Sequence, residues 1–240
     1  MEGRSYNERL FGSSALRRWY HEARFRWLSR ALRRLECVPG SVLELGCFDG
    51  RAIGYLPRLP SRYLGCDANW EGGLERARET WGRNPGFEFR ECRSPSDIRL
   101  GGETFDAVIC MDTLEHVPPA DLPGYVEILS RAARGHVLVT VPNEKGAAFA
   151  TKYLLKAVLG GNEPYTVREA AHAALGRLDR VARREHKGFD YAAVVSLLKR
   201  RLEIASVTGI PFPALPPALN ASVGIVGGAG PGTGGFCRRS

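Results

Sequence analysis

The sequence predicts an α/β fold: a three-layer sandwich with a seven-stranded, mostly parallel sheet, an antiparallel C-terminal hairpin, and helices on both faces. Three observations carry the prediction. Seven short β-like runs punctuate the chain: SVLELGC (41–47), RYLGCD (62–67), FEFREC (87–92), DAVICM (106–111), HVLVTV (136–141), EIASVTG (203–209) and SVGIVG (222–227). Helix-compatible stretches separate most of the first five, and such strand–helix alternation builds a parallel sheet. VLELGC and DAVICM are almost wholly apolar, as strands buried on both faces must be.

The first element precedes the sheet. Residues 15–35 place Leu16, Trp19, Tyr20, Phe25, Leu28, Ala31, Leu32 and Leu35 at three-and-four spacing, which predicts an amphipathic helix ended by Val38-Pro39-Gly40. Crossover helices are predicted at 50–57, 70–82 and 120–134. Residues 144–185 are too long for a crossover and rich in Ala, Leu and basic residues; two or three inserted helices are expected there, near the carboxyl edge of the sheet. The last two strand runs follow one another without a helix, which predicts the hairpin. The expected organisation is a helical cap (1–40), a main domain (41–228) with residues 144–185 as a lid, and a flexible Gly-rich tail (229–240).

Composition narrows the class. A chain of 240 residues with 44% apolar and 25% charged content suits one well-packed soluble domain. No apolar run reaches the roughly 18–20 residues of a bilayer span. The polar opening MEGRSYNERLFGSS has no signal-peptide character, so a cytoplasmic protein is expected. The six cysteines never form a CxxC pair, which argues against a zinc site and a disulfide framework, and no metal is expected. The formal charge of +8 resides largely in two Arg-rich helical stretches, 17–34 and 177–201, whose interleaved apolar residues mark solvated faces of packed helices; a nucleic-acid partner is disfavoured.

The chemistry gathers at the strand tips. The first run ends in the turn Glu44-Leu45-Gly46-Cys47-Phe48-Asp49-Gly50. In a doubly wound sheet ligands lie past the carboxyl ends of the strands, where glycine permits close approach. Asp67 closes the second run, where a carboxylate can accept hydrogen bonds from both ribose hydroxyls of an adenosine-type ligand; the competing role is a cap for the helix near residue 70. Phe48 replaces the middle glycine of the usual GxGxG turn, so its backbone is expected to avoid glycine-only dihedrals.

VLELGCFDG, GCD, FDAVICMDTLEHVPP and HVLVTVPNE, in that order, resemble the successive motifs of class I S-adenosylmethionine-dependent methyltransferases of the small-molecule type. The resemblance covers about residues 40–145, with a weaker likeness through 185–212. It implies a Rossmann-like fold and S-adenosyl-L-methionine as cofactor. It places Glu44 near the cofactor's amino group, and Gly46 and Gly50, with Cys47 and Phe48 between them, along its methionine end. Asp67 would hold the ribose, Ala68 and Asn69 would lie close to the adenine, and Met111 and Asp112 beneath the amino-acid portion. The acid that usually bonds the adenine amine has no clear counterpart: Ser94 stands at its approximate place, and Asp97, three residues on, is the favoured candidate.

Methyl transfer needs positioning above all, and a general base only for an acceptor that is protonated when bound. His186 and His116 are the base candidates; His21, His136 and His172 attract no such role. An acceptor pocket is expected from the N-terminal helix, the insertion and the loop at 210–217, with Tyr6, Phe11, Trp19, Tyr20, Phe149, Tyr153, Tyr165 and Phe212 available. The expected activity is methylation of an oxygen or nitrogen on a small-molecule acceptor in a biosynthetic pathway, by a monomer or homodimer. An RNA or protein methyltransferase and a non-catalytic methyltransferase-like binding protein remain alternatives.

Overall fold

The computed structural model describes residues 15–158, 165–184 and 186–228. Tyr6, Phe11 and the tail 229–240 lie outside the described residues. Seven strands form one sheet: β1 Ser41–Leu45, β2 Arg62–Asp67, β3 Phe87–Glu91, β4 Phe105–Met111, β5 Ala133–Pro142, β6 Glu203–Ile210 and β7 Ser222–Gly228. Their order is β3-β2-β1-β4-β5-β7-β6. Every pairing among β1 to β5 is parallel, and β7 runs antiparallel to both β5 and β6.

The hydrophobic pattern explains this order. β1 is buried at all five positions and β4 at six of seven, so both occupy the middle of the sheet. The expected C-terminal hairpin forms, with β7 on its inner side. In β7 the five central residues are buried, whereas β6 is exposed or half-exposed along its first six and takes the edge.

Helices α1 Ala15–Arg34 and α2 Gly73–Trp81 cover one face; α3 Leu122–Ala132 and α6 Tyr191–Lys199 cover the other. The crossover expected at 50–57 contracts to a 3-10 turn over Arg51–Tyr55. α1 packs over this turn and reaches on to β6 and β7, so the N-terminal helix supplies part of that layer. Its Leu28 and Leu32 are fully buried, each stabilising the layer by about 1.5–3 kcal/mol. The insertion holds α4 Gly146–Val158, α5 Val167–Ala174 and a 3-10 turn at Leu178–Arg180. It has its own small core, in which the Phe149 ring centroid lies 4.8 Å from that of Tyr165 and 5.7 Å from that of Tyr153.

One contact locks α1 to the C-terminal strands. The Trp27 indole N–H donates to Thr208 Oγ1 at 2.8 Å, and its ring packs against Gly224, where an added Cβ would come within 2.2 Å of ring carbon. Gly224→Ala is expected to destabilise the fold by about 1–3 kcal/mol through overpacking. Urea unfolding monitored by tryptophan fluorescence checks this, and an unchanged midpoint would refute the contact's importance.

Candidate functional site

The tips of β1, β2 and β4 open into a cavity of about 600 Å³. The two turns leaving β1 and β2 are clasped together by one side chain. Asp67 Oδ2 accepts the Phe48 N–H at 2.9 Å, and Oδ1 accepts the Asn69 N–H at 2.8 Å. This bond draws Phe48 to φ 45°, in the left-handed region that residues other than glycine adopt uncommonly. The Phe48 ring compensates by packing on Gly73, where a Cβ would approach within 2.5 Å, and under the Arg76 guanidinium at 5.0 Å. Gly46 turns at φ 76° beneath Thr113, whose Oγ1 would lie 2.0 Å from any Cβ added there.

Two acids shape the polar floor. Glu44 is buried and accepts the Tyr63 O–H at 2.5 Å. Burial pushes its pKa up to about 8; nearby Asp49 and Asp67 add to the rise, while the Tyr63 bond and Arg24 oppose it. Burial also raises the pKa of Asp67, against the backbone N–H bonds that lower it. At the tip of β4, Asp112 receives Arg24 Nη1 at 2.7 Å and Thr140 Oγ1 at 2.6 Å. Arg24 comes from α1 and anchors that helix to the cavity floor.

At the far end stand two imidazoles. The rings of His116 and His186 meet edge to face, with centroids 4.4 Å apart. Burial, with the charges of His116 and Lys152 next, lowers the His186 pKa to about 4. Its lone pair is therefore available at neutral pH, although the ring is a weak base. Beneath them Glu115 is buried, and burial holds its pKa well above the usual carboxylate range. Arg183 Nη2 donates to the Glu115 carbonyl at 2.7 Å, tying the inserted segment to the β4 loop.

The structure brings together ten of the expected residues. Glu44, Gly46, Cys47, Phe48, Asp67 and Ala68 line the cavity, as do Met111, Asp112, His116 and His186. Gly50, Asn69 and Asp97 do not line it. Gly50 sets the turn behind the wall at φ 71°. Asn69 turns inward to its own helix, accepting the Leu74 N–H at 3.1 Å. Asp97 closes a capping box with Ser94, its Oδ2 accepting the N–H groups of Arg93 and Ser94, each at 2.9 Å. The wall beside that box is made instead by Cys92, Arg93 and Ile98. His21, His136 and His172 are not on the cavity wall. Phe149, Tyr153 and Tyr165 pack in the inserted core, and Trp19 and Phe212 meet at the exposed surface, ring centroids 6.0 Å apart.

Arg24, Trp70 and Thr113 also line the cavity and went unassigned in the sequence. Arg24 carried a signal: it stands four residues from both Tyr20 and Leu28, a cation inside the apolar stripe of α1. Trp70 and Thr113 carried none.

Comparison with known proteins gives the same picture. A family model described as a methyltransferase domain matches residues 42–135. A ubiquinone biosynthesis O-methyltransferase of Mesorhizobium japonicum is 31% identical over 100 residues, covering 42% of this chain and 39% of that protein. The chain thus matches well under half the length of that curated relative. Among solved structures, an S-adenosylmethionine-dependent methyltransferase from Clostridium acetobutylicum superposes with TM-score 0.62 at 15% identity, over 94% of this chain and 96% of the other. The magnesium protoporphyrin IX methyltransferase of Synechocystis PCC 6803, with bound SAH, gives 0.61 at 17% identity, over 92% of each. At these identities the structures establish a shared fold.

The raised Glu44 pKa has a consequence for stability. A carboxyl that titrates near 8 when folded and near its ordinary 4.5 when unfolded favours folding fully below about 4.5 and loses that contribution as pH rises through 8. Glu44→Gln should therefore gain stability relative to wild type between pH 5 and pH 8. Denaturant melts at both pH values test this; an identical difference at the two would refute it.

Proposed function

We propose that this chain, whose residues 42–135 match a family model described as a methyltransferase domain, is a class I S-adenosylmethionine-dependent methyltransferase that methylates an oxygen or nitrogen of a small-molecule acceptor. One observation carries the reading: a single cavity runs from the glycine turn and Asp67 to the two histidines. One end thus suits a nucleoside-bearing donor and the other an acceptor.

The residues present fit S-adenosyl-L-methionine. Asp67 lines the cavity, where it would take the ribose hydroxyls. Phe48, Trp70, Cys92 and Ile98 offer an apolar wall for the adenine. Cys47, Ala68 and Met111 complete the lining around that ligand. Glu44 and the turn at Gly46 would receive the cationic methionine end, with the Arg24–Asp112 pair below. When bound, the cofactor supplies an electrophilic methyl group on a sulfonium. The protein's part is positioning, which accounts for roughly 7–11 kcal/mol of barrier lowering in well-oriented reactions. His116 and His186 stand where an acceptor would enter, and in this reading either takes up a proton from a hydroxyl acceptor. The inserted helices α4 and α5 serve as a lid over that end. Among the described residues no helix is long and apolar enough to cross a membrane.

The test combines mass spectrometry for a co-purified S-adenosyl ligand with transfer of a labelled methyl group to metabolites of a cell extract. Labelled product is expected. Binding without transfer to any acceptor would instead support the non-catalytic alternative. Asp67→Ala should weaken cofactor binding about tenfold to 150-fold, the loss of about 1.5–3 kcal/mol of charge-assisted bonding. Calorimetry on a variant with unchanged circular dichroism reads this directly, and an unaltered dissociation constant would remove the ribose assignment.

A further inference from the structure

The chain's cysteines offer no zinc motif, yet a different donor set converges in space. Glu115 and His116 follow β4, and His186 arrives from the inserted segment. Their ligating atoms all lie within 4.8 Å of one another. Glu115 Oε1 stands 3.8 Å from His186 Nδ1, too far for a hydrogen bond. Its second oxygen, Oε2, is buried with no hydrogen-bond partner, although the side chain is only 1% exposed. A buried, unsatisfied carboxylate oxygen beside two imidazoles calls for a ligand to complete it.

We propose that Glu115, His116 and His186 form a site for one divalent transition-metal ion, at which an acceptor hydroxyl is held facing the methyl donor. Two imidazoles and one carboxylate form a facial set that leaves positions open, the pattern of sites in which a metal binds and polarises a substrate oxygen. Bonds of about 2.0–2.2 Å require the donors to draw together slightly. Both histidines lie at the accessible rim, and His186 is 47% exposed, so a side-chain rotation suffices. The donor set favours a nitrogen-seeking ion over magnesium or calcium. His186 faces Asp112 from the β4 loop and Lys152 and Arg183 from the inserted segment, while Glu115 faces Asp112, Glu144 and Arg24; acids and bases are balanced, and the two imidazoles set the preference.

The acceptor role rests on the methyl-transfer reading and refines it to an oxygen nucleophile. With the ion bound, the two histidines are ligands instead of proton acceptors, and the hydroxyl, acidified at the ion, gives its proton to solvent at the rim. Its oxygen then forms the bond to the methyl carbon as the carbon–sulfur bond breaks, and the electron pair passes to sulfur.

The test titrates cobalt(II) chloride into the full chain, followed by visible absorption and calorimetry. One saturable equivalent with d–d bands is expected, with no comparable binding of magnesium chloride. Glu115→Gln and His186→Ala should each weaken cobalt binding by about 10–100-fold. His186→Ala alters an accessible side chain and serves should Glu115→Gln fail to fold. Absence of saturable cobalt binding by wild type, or wild-type affinity in folded variants, would overturn the site. Full-rate label transfer after chelation, in a protein that does bind cobalt, would overturn the acceptor role. Calorimetry with S-adenosyl-L-homocysteine on the same preparations separates the two hypotheses, because failure of the metal site leaves cofactor binding intact.

Discussion

The bond between the Asp67 carboxylate and the Phe48 amide is the constraint on which the site depends. Two strand-to-helix turns leave adjacent parallel strands; the Gly46 and Cys47 N–H groups donate to the Cys66 carbonyl where the first turn begins, and beyond that point a side chain joins the two. Asp67 holds both, one with each oxygen. The cost is a non-glycine residue in the left-handed region, offset by the packing of its ring against Gly73 and Arg76. Strain at a ligand-facing turn persists only when surrounding contacts determine it, as they do here. The same carboxylate is the one proposed for the ribose, so the residue that shapes the cradle would also read its occupant.

Opposite this cradle the cavity is built from parts distant in sequence. Arg24 on the first helix meets Asp112 and, through it, Thr140, joining α1, β4 and β5 around one carboxylate. Arg183 reaches from the insertion to the Glu115 carbonyl. This end of the cavity is therefore tied to the rest of the fold by an ion pair and a charge-assisted hydrogen bond.

The glycine-turn end of the cavity was largely legible in the sequence because its residues lie in short contiguous turns after apolar strands. Glu44, Gly46, Asp67 and Asp112 each sit at a strand tip whose position follows from the strand. Asp97 and Asn69 show where that logic stops. Both are near the right strand ends, but their side chains make local hydrogen bonds that turn them from the cavity, and short polar residues in loops commonly do so. Phe48 shows the converse: its dihedral was set by a bond to a residue 19 positions away.

Strand periodicity, the apolar content of β1 and β4, and the glycine–acid order determined the fold class and which strand-tip residues gather at one end of the cavity from sequence alone, because these signals are local and repeat with the backbone's own period. Only the tertiary structure decided that β7 lies inside β6, that the inserted aromatics form a core of their own, and that Glu115, His116 and His186 converge. The reason is physical. Which face a loop side chain presents, and what it meets there, depends on packing between elements brought together by burial, and no single segment carries that information.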